Sequence, residues 1–362
     1  MRTPLTSSLT SSCDPALLEL LARGIDAFGD GLADAALLCF ASEWTRSAGF
    51  RLREISDGHR WQASALRDVA TAFRTADSAQ REYNARIHRV ERSISAWLPL
   101  NRDRARAEVA RTARRRLLTF DPAKDGRVVE VFGNITTSTH IAVIVPGMDN
   151  DITDYLGLRV RAENLRAEMA RIAAAGQTVA VVLWLGYDTP DLSVTRLVSE
   201  GGGSQKAKAG AKVLLEDIAF LRRVSPGAEV TVVGHSYGTV VVGRAMRAGL
   251  DVDRVVAVGS PGMDARDRRD LKSPKVSLWA TRHRGEDLIP LVPTHGEDPA
   301  ARGFHAKRFR SDGVKHHSDY FRKESVALGN IARIATGAIP ETEQVHDAGE
   351  VAVRFAHGGR GD

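Results

Sequence analysis

From Leu117 onwards, short apolar runs alternate with longer amphipathic stretches. A short run rich in β-branched residues predicts a buried strand, and apolar residues spaced three or four apart predict a helix. The predicted strands are Val128–Phe132, His140–Val145, Thr178–Leu185, Glu229–Val233, Arg254–Val258, Val276–Ala280 and Phe304–Phe309, and the predicted helices are Leu158–Ala175, Ala207–Arg223, Gly238–Leu250 and Asp319–Thr336. This alternation indicates an α/β fold with a mostly parallel sheet that helices cover on both faces.

The first third of the chain shows helical patterns only. Ser12 or Asp14, followed by Pro15, is typical of a helix start. The stretch from Gly29 to Gly31 predicts an interruption, because glycine disfavours a helix interior. A second helix is expected from Ala33 through Trp44.

A longer helix follows, with a heptad pattern of apolar residues alternately three and four positions apart. The members of this pattern are Leu66, Val69, Phe73, Ala76, Tyr83, Ile87, Val90, Ile94 and Trp97, with only Gln80 interrupting them. An apolar stripe of this kind needs a partner along its whole length. We expect the preceding helices to supply it in a hairpin or small bundle. A protein partner or a second copy of the chain would supply the same surface.

These patterns divide the chain into three predicted regions. Residues 1–116 form a helical hairpin or bundle, and residues 117–340 form the α/β domain. Residues 341–362, which end in a Gly-rich polar stretch, form a disordered tail.

The most informative motif lies where the strand Glu229–Val233 runs into Gly234-His235-Ser236-Tyr237-Gly238. A G-x-S-x-G motif between a strand and a helix is typical of a nucleophile elbow, where a sharp turn lifts a serine hydroxyl above the sheet. Ser236 is therefore the candidate nucleophile. An ordinary glycine-rich turn is the alternative, but the apolar strand before the motif and the helical pattern after it favour the elbow.

A serine nucleophile needs a histidine base, and the base needs a carboxylate to orient it. On α/β-hydrolase sheets the chain order is serine, acid, histidine. Asp287 follows the strand Val276–Ala280 and is the candidate acid, with its neighbour Glu286 and the earlier Asp264 as alternatives.

The candidate base is His317, which lies after the last predicted strand and just before the closing helix. A loop in this position can reach the carboxyl ends of the strands. The adjacent His316 is the alternative, whereas His295 and His305 come earlier in the chain and fit less well.

The candidate oxyanion hole consists of two backbone N–H groups, those of Tyr237 and Met148. Gly147 precedes Met148 and would let the backbone approach the substrate. The acidic run Asp149-Asn150-Asp151 follows, and we expect it to cap the next helix rather than to bind a metal.

A candidate acyl pocket is formed by Trp184, Leu185 and Tyr187, and its apolar character predicts a lipophilic ester. The alternative is that Trp184 and Leu185 simply end a core strand.

Composition narrows the class of protein. The chain is 43% hydrophobic and 27% charged, as soluble globular proteins are. Its apolar stretches are only as long as strands, and residues 1–12 lack the apolar segment of a Sec signal. We therefore expect no integral membrane segment and a cytoplasmic location, with non-classical secretion as the alternative.

The net charge of +6 comes mainly from arginine, with a dense group at Arg102–Arg116. Asp103 and Glu108 interrupt this group and no aromatic stacking pattern accompanies it, which favours a solvated helix face over a nucleic-acid site. Cys13 and Cys39 do not have the spacing of metal ligands. We expect neither a metal nor a cofactor.

Several short strings together resemble an actinobacterial α/β-hydrolase family of unknown function, over roughly Leu117 to Thr336. The strings are Val145-Pro146-Gly147-Met148, Trp184-Leu185-Gly186-Tyr187-Asp188-Thr189-Pro190, Gly234-His235-Ser236-Tyr237-Gly238-Thr239, Gly259-Ser260-Pro261-Gly262 and His317-Ser318-Asp319-Tyr320. The resemblance implies Ser236 as nucleophile, His317 as base and the loop of Asp287 as the source of the acid. Residues 282–287 are more charged than the small-residue loop of that family. The resemblance also implies a helical N-terminal segment.

These observations predict a serine hydrolase that cleaves carboxylic esters through an acyl-enzyme. The same triad would serve a thioesterase or an amidase. A non-catalytic binding protein with this fold, or an interaction protein that acts through its helical region, belongs to a different class and is tested by covalent labelling of Ser236.

Overall fold

The computed structural model describes residues 15–39, 46–98, 104–113, 116–123, 126–148, 150, 152, 154–189, 201–282 and 295–342. The chain divides into two units: Met1–Arg89 with Arg223–Pro226, and Val90–Arg222 with Gly227–Asp362. The second unit contains the sheet and the candidate site.

Eight strands form one sheet in the order β1-β2-β4-β3-β5-β6-β7-β8. Their bounds are β1 Leu117–Asp121, β2 Arg127–Phe132, β3 His140–Val145, β4 Val179–Leu185, β5 Glu229–His235, β6 Arg254–Val258, β7 Ser277–Thr281 and β8 Lys307–Arg308. β1 and β4 both run antiparallel to β2, and the remaining neighbours are parallel. β5 is therefore an interior strand, with parallel partners on both sides.

Helices cover both faces of this sheet. The described helices of the whole chain are α1 Pro15–Cys39, α2 Arg46–Trp97, α3 Arg104–Ala113, α4 Tyr155–Ile172, α5 Gly201–Val224, α6 Gly238–Arg247 and α7 Val326–Ala335, of which α1 and most of α2 belong to the first unit and the others cover the sheet. On one face, Ala142 and Ile144 of β3 join a core cluster with residues of α4 and α7. On the other face, Val143 lines a small internal cavity with Leu214 and Ile218 of α5. The predicted α/β architecture is confirmed, because alternate side chains of a buried strand meet helices on opposite sides.

The strands of the sheet follow the sequence prediction closely, with two differences. β1 has no predicted counterpart, and the last strand is only Lys307–Arg308 because a 3₁₀ turn occupies Arg302–Phe304.

The predicted closing helix Asp319–Thr336 is wrong, because it is two separate elements. A 3₁₀ turn spans Asp319–Phe321, and α7 begins only at Val326. Between them Glu324 has a left-handed backbone with φ 61°, and the Ser325 hydroxyl accepts a hydrogen bond from the Leu328 N–H as an N-cap. A left-handed residue followed by a serine cap ends one helical segment and starts another.

The predicted interruption at Gly29–Gly31 is also wrong, because α1 continues through these residues from Pro15 to Cys39. A β-carbon on Gly29 would lie 3.3 Å from His59 Cβ and 3.4 Å from the Ser56 carbonyl oxygen. The Ser56 hydroxyl donates to the Gly29 carbonyl oxygen over 2.7 Å. Gly29 therefore allows the close approach of two helices rather than a chain break.

Antiparallel packing of α1 against α2 uses a different face of α2 from the predicted heptad stripe. Ser56, Ala63 and Ala70, seven residues apart, are fully buried, whereas Val69 of the predicted stripe is 44% exposed. Ion pairs at the same spacing, Arg60–Asp30, Arg67–Asp26 and Arg74–Glu19, join the two helices. Small side chains let the helix backbones approach, which larger heptad residues would prevent.

The end of α2 belongs to the second unit. Ile94 is fully buried in the core cluster of the sheet, together with Val109 and Ala110 of α3, and the Trp97 ring lies 5.3 Å from the Phe120 ring. The last positions of the heptad pattern in α2 therefore pack against the core of the second unit. No helix in the described ranges is long and apolar enough to cross a membrane.

Candidate active site

Ser236 lies in a strained turn at the carboxyl end of β5. Its backbone has φ 55°, a left-handed value that is rare for a residue with a side chain, and its N–H donates to the Val258 carbonyl oxygen of β6 over 3.0 Å. α6 begins two residues later, at Gly238. A β-carbon on Gly238 would lie 2.3 Å from the Val145 carbonyl oxygen, so only glycine allows this turn to pack on β3.

A buried hydroxyl pair anchors this turn to the loop after β6. The Thr239 hydroxyl lies 2.7 Å from the Ser236 carbonyl oxygen and 2.7 Å from the Ser260 hydroxyl. Ser260 in turn lies 3.0 Å from both the N–H and the carbonyl oxygen of Gly262. Because all of these groups are buried and paired, they resist displacement of the strained serine.

The loop after β3 lies directly against Ser236, the candidate nucleophile. A β-carbon on Gly147 would be 2.5 Å from Ser236 Cβ and 2.9 Å from Ser236 Oγ. The Asn150 side-chain amide donates to the carbonyl oxygens of Gly147, over 3.1 Å, and Met148, over 2.7 Å. In a trans peptide the C=O and N–H point in opposite directions, so the bond to the Gly147 carbonyl turns the Met148 N–H away from Asn150.

Further hydrogen bonds brace this loop, residues 146–148 and 150, which we call the oxyanion loop after the role predicted for it from the sequence. The Tyr187 hydroxyl donates to the Pro146 carbonyl oxygen over 2.8 Å, and the Thr189 hydroxyl donates to the Asn150 carbonyl oxygen over 3.1 Å. Lys206 donates to the Thr189 carbonyl oxygen over 2.8 Å. Burial raises the pKa of the Tyr187 hydroxyl well above its ordinary value, so it remains a donor at any pH of interest.

Asn150 has a role that the sequence did not indicate. We expected the run that contains it to cap the next helix, but α4 begins at Tyr155 with Asp154 as N-cap residue. The Asn150 side chain instead holds two carbonyl groups of its own loop. Nothing in a single sequence distinguishes these two uses of an asparagine after a strand.

The loop that carries His317 is ordered by the carboxylate of Asp319, which accepts the backbone N–H groups of Lys315, over 3.1 Å, and His316, over 3.0 Å. Desolvation raises the pKa of the Asp319 carboxyl, but the hydrogen bonds from His316 and Lys315 outweigh it, so the pKa lies below its ordinary value. On α4, the Asn164 amide donates to the Phe321 carbonyl oxygen over 3.0 Å. The loop is thus held at both ends.

Of the two neighbouring histidines, His317 faces the elbow and His316 faces solvent. The His317 ring lies 4.6 Å from the ring of His235, the residue before the nucleophile, with the planes inclined at 39°. Nε2 of His235 lies 2.8 Å from the His317 carbonyl oxygen. His317 is partly buried, whereas His316 is exposed.

His235 is the second residue whose contacts at this site the sequence did not indicate. It is 4% exposed and is enclosed by the rings of His317, Tyr320 and Phe321. Burial lowers the pKa of the His235 imidazole well below its ordinary value, the charges of His317 and Arg161 lower it further, and the hydrogen bond to His317 opposes them. The ring is therefore neutral at physiological pH.

The candidate acids occupy different parts of the chain. Asp287 and its neighbour Glu286 lie outside the described residues. Asp264 has a left-handed backbone with φ 53°, and its carboxylate lies 3.2 Å from both Arg244 Nε and Arg247 Nη1 of α6. The Asp264 carboxylate is thus already paired with two guanidinium groups on α6.

Trp184 and Leu185, two of the candidate pocket residues, are in the core. They are 1% and 0% exposed, and Trp184 Nε1 donates to Asp217 of α5 over 2.8 Å. The third, Tyr187, lines a cleft of about 280 Å³ together with Lys206 and other residues, while its hydroxyl braces the oxyanion loop.

Next to Ser236 in the chain, the ring of Tyr237 meets the ring of His295 edge to face, with centroids 5.2 Å apart. The His295 carbonyl oxygen accepts the Asp264 N–H over 2.7 Å, which fixes the position of His295 beside the elbow. Among the described residues, no group of three or more His, Cys, Asp or Glu side chains could hold a metal ion.

Comparisons with known proteins show which proteins this chain is similar to. Residues 121–296 match the profile of a family described as "Alpha/beta hydrolase". An uncharacterized protein of Mycobacterium tuberculosis is 30% identical over 267 residues, a match that covers 61% of this chain and 39% of that protein. An uncharacterized protein of Mycobacterium bovis is 29% identical over 157 residues, covering 41% of this chain and 58% of that protein. The chain therefore matches less than two thirds of the length of either relative.

Solved structures with some likeness include a predicted CIB-like hydrolase from Thermoplasma acidophilum, with 15% identity and a TM-score of 0.35 over 60% of this chain and 95% of that one. Trichoderma reesei cutinase in complex with a phosphonate inhibitor has 19% identity and a TM-score of 0.28, over 45% of this chain and 71% of that one.

Proposed function

We propose that the chain is a serine hydrolase of carboxylic esters, because residues 121–296 match an alpha/beta hydrolase family and the similar proteins include actinobacterial ones. In this proposal Ser236 is the nucleophile, His317 the general base and Asp287 the acid that orients the base. The observation that carries the proposal is the left-handed backbone of Ser236, φ 55°, at a strand-to-helix turn packed against Gly147. Strain of this kind is kept at functional sites, where the surrounding structure enforces it.

In the first step Ser236 Oγ attacks the ester carbonyl carbon while His317 takes the hydroxyl proton. The negative charge that develops on the carbonyl oxygen is stabilised by the backbone N–H groups of Met148 and Tyr237. Two features support this assignment. Asn150 turns the Met148 N–H away from itself, and Tyr237 is the N-cap residue of α6, beside the positive end of the helix dipole.

In the second half of the reaction the tetrahedral intermediate collapses, and His317 returns its proton to the leaving alcohol. A water molecule, deprotonated by His317, then attacks the acyl-enzyme and releases the carboxylic acid. The same sequence of steps would cleave a thioester or an amide, since only the leaving group differs. A preference for lipophilic acyl groups remains a prediction of the apolar pocket proposed from the sequence.

A fluorophosphonate probe tests the proposal directly. We expect the purified protein to be labelled at Ser236 and to hydrolyse p-nitrophenyl esters, and Ser236→Ala to lose both properties, with turnover falling by several orders of magnitude. A series of acyl-chain lengths, run beside thioester and amide substrates, would identify the preferred bond and acyl group. A wild-type protein that is neither labelled nor active would overturn the proposal in favour of a binding role.

Two matched pairs of variants test the other members of the triad in the same assay. His317→Ala should lose turnover as Ser236→Ala does, whereas the exposed His316→Ala should retain it. Asp287→Asn should lose about 10⁴-fold in turnover, because the acid fixes the tautomer of the base. Asp264→Asn should retain turnover, because its carboxylate pairs with Arg244 and Arg247. The reverse result in either pair would reassign that role.

A further inference from the structure

His235 makes one polar contact with the loop that carries the base. Its Nε2 lies 2.8 Å from the His317 carbonyl oxygen, across a separation of 82 residues in the chain. A carbonyl oxygen can only accept a hydrogen bond, so Nε2 carries the proton in the neutral ring. The other ring nitrogen, Nδ1, is buried and has no hydrogen-bond partner among the described residues. The polar groups of the ring thus serve this single bond.

A position that only fills space does not require an imidazole, because a buried ring nitrogen without a hydrogen-bond partner destabilises the fold. An apolar side chain of similar size would avoid that loss of stability. His235 also contacts the ring of His317, at 4.6 Å, in addition to its backbone. Both contacts act on the same residue, the base in the proposed reaction.

We infer that His235 is a positioning residue for the base: its Nε2–H, donated to the His317 carbonyl oxygen, joins the loop of residues 315–319 to the nucleophile elbow. This inference rests on the proposed function. Because His235 and Ser236 are adjacent in the chain, any movement of the elbow carries the donor with it. This one hydrogen bond then fixes the distance between Ser236 and His317, which would otherwise depend on the packing of the whole sheet.

The charge on His235 matters as well as its position. During turnover His317 becomes positively charged, and Arg161 of α4 already places a positive charge near the His235 ring. A neutral donor at position 235 holds the loop without adding a third positive charge beside the base. A lysine or arginine could donate the same bond but would oppose protonation of His317.

A matched pair of variants isolates the hydrogen bond. Glutamine places an N–H donor near the position of Nε2, and methionine has a similar length and volume without a donor. We expect His235→Met to lower kcat for a p-nitrophenyl ester by about 10- to 100-fold, with KM changed by less than about twofold, since the base is displaced and substrate binding is not. His235→Gln should recover most of the loss, to within about fivefold of wild type.

His140→Gln is the control for loss of a buried histidine from the sheet. His140 lies at the start of β3, away from the carboxyl ends of the strands, and its Nδ1 is 3.2 Å from Glu229. The turnover of His140→Gln should equal that of the wild type. Equal kcat values for His235→Met and His235→Gln, or a wild-type kcat in His235→Met, would overturn the inference while leaving the proposed function intact.

Amide hydrogen exchange of residues 315–319, on the same variants, needs no turnover. The backbone N–H groups of Lys315 and His316 donate hydrogen bonds to the Asp319 carboxylate. Their exchange should be at least about tenfold faster in His235→Met and should keep the wild-type rate in His235→Gln. If the wild type proves inactive, the proposed function fails, and this measurement still decides whether His235 holds the loop. Unchanged exchange in both variants would show that it does not.

Discussion

The contact between Gly147 and Ser236 is closer than any side chain would permit. A β-carbon at position 147 would lie 2.5 Å from Ser236 Cβ, a distance that requires one of the two backbones to move. We therefore expect Gly147→Ala to displace the oxyanion loop from the nucleophile and to lower kcat/KM by at least about 100-fold, as a displacement of about 1 Å can. Ester hydrolysis measures this loss, and circular dichroism verifies that the variant is folded.

Gly157 on α4 supplies the matched control. It is exposed, and a β-carbon there would meet nothing within 4 Å. Gly157→Ala should leave turnover unchanged and raise the free energy of unfolding by roughly 0.5–1 kcal/mol, because alanine loses less backbone entropy in a helix. If Gly147→Ala turned over as fast as Gly157→Ala, the loop of residues 146–150 would have no part in catalysis.

The role of a single residue can be predicted from the sequence where its neighbours in the chain form a recognisable pattern. Ser236 can be proposed as a nucleophile because a strand, two glycines and a helix surround it, and His317 because chain order restricts the base. His235 and Asn150 have no such signature. His235 depends on a partner 82 residues away that the fold brings to it. Asn150 bonds carbonyl groups only two and three residues before it, and no pattern in the sequence indicates how those groups are oriented.

Among the elements, the α1–α2 hairpin depends on small residues at its contact. Ala70 of α2 is fully buried and lies between Arg67 and Arg74, and Ala22 of α1 is fully buried between their partners. We expect Ala70→Leu to destabilise the hairpin by about 1–3 kcal/mol, because the added side chain forces the helices apart. Thermal unfolding followed at 222 nm, together with hydrogen exchange of residues 15–39, measures the effect.

Ala72→Leu is the control for helix propensity and volume. Ala72 is exposed on the same helix, so leucine there should change stability by less than about 0.5 kcal/mol. The exposed ion pairs between α1 and α2 contribute little by comparison. Equal stability of the two leucine variants would mean that the small-residue contact does not limit the approach of the helices.

The predicted strands and helices agree with the structure where the burial of a segment alone determines its bounds. β3 and β6 were predicted to the residue, because each is an apolar run that follows one polar residue and ends at a proline or a glycine. Prediction failed where a tertiary contact reverses a local preference. Gly29 breaks no helix because Ser56 and His59 pack against it, and the closing segment is divided at Glu324, whose left-handed backbone no pattern indicates.

At the scale of the whole molecule, the core of the sheet unit extends further toward the N-terminus than the change of pattern at Leu117 suggests. Ile94, Val109 and Ala110 are buried in the core cluster, and Trp97 packs against it. These side chains precede the region predicted as the catalytic domain, residues 117–340. Helical periodicity alone cannot indicate which end of a long helix joins a sheet, because the same apolar stripe suits a helix or a sheet as partner.

Two truncated chains test whether the sheet unit begins at residue 90 or at residue 117. A chain that lacks residues 1–89 keeps Ile94, Val109 and Ala110, so it should fold and retain ester turnover within about threefold of the full chain. A chain that lacks residues 1–116 loses these side chains and exposes Phe120, which packs against Trp97. Burial of each large apolar side chain contributes roughly 1.5–3 kcal/mol, so this truncation should lower the free energy of unfolding by about 5 kcal/mol, much of the stability of an ordinary domain. Urea unfolding and turnover, measured on both proteins, test the difference. Equal unfolding midpoints would show that residues 90–116 add nothing to the core. Loss of folding in the chain that lacks only residues 1–89 would instead show that the sheet unit needs the helical hairpin in order to fold.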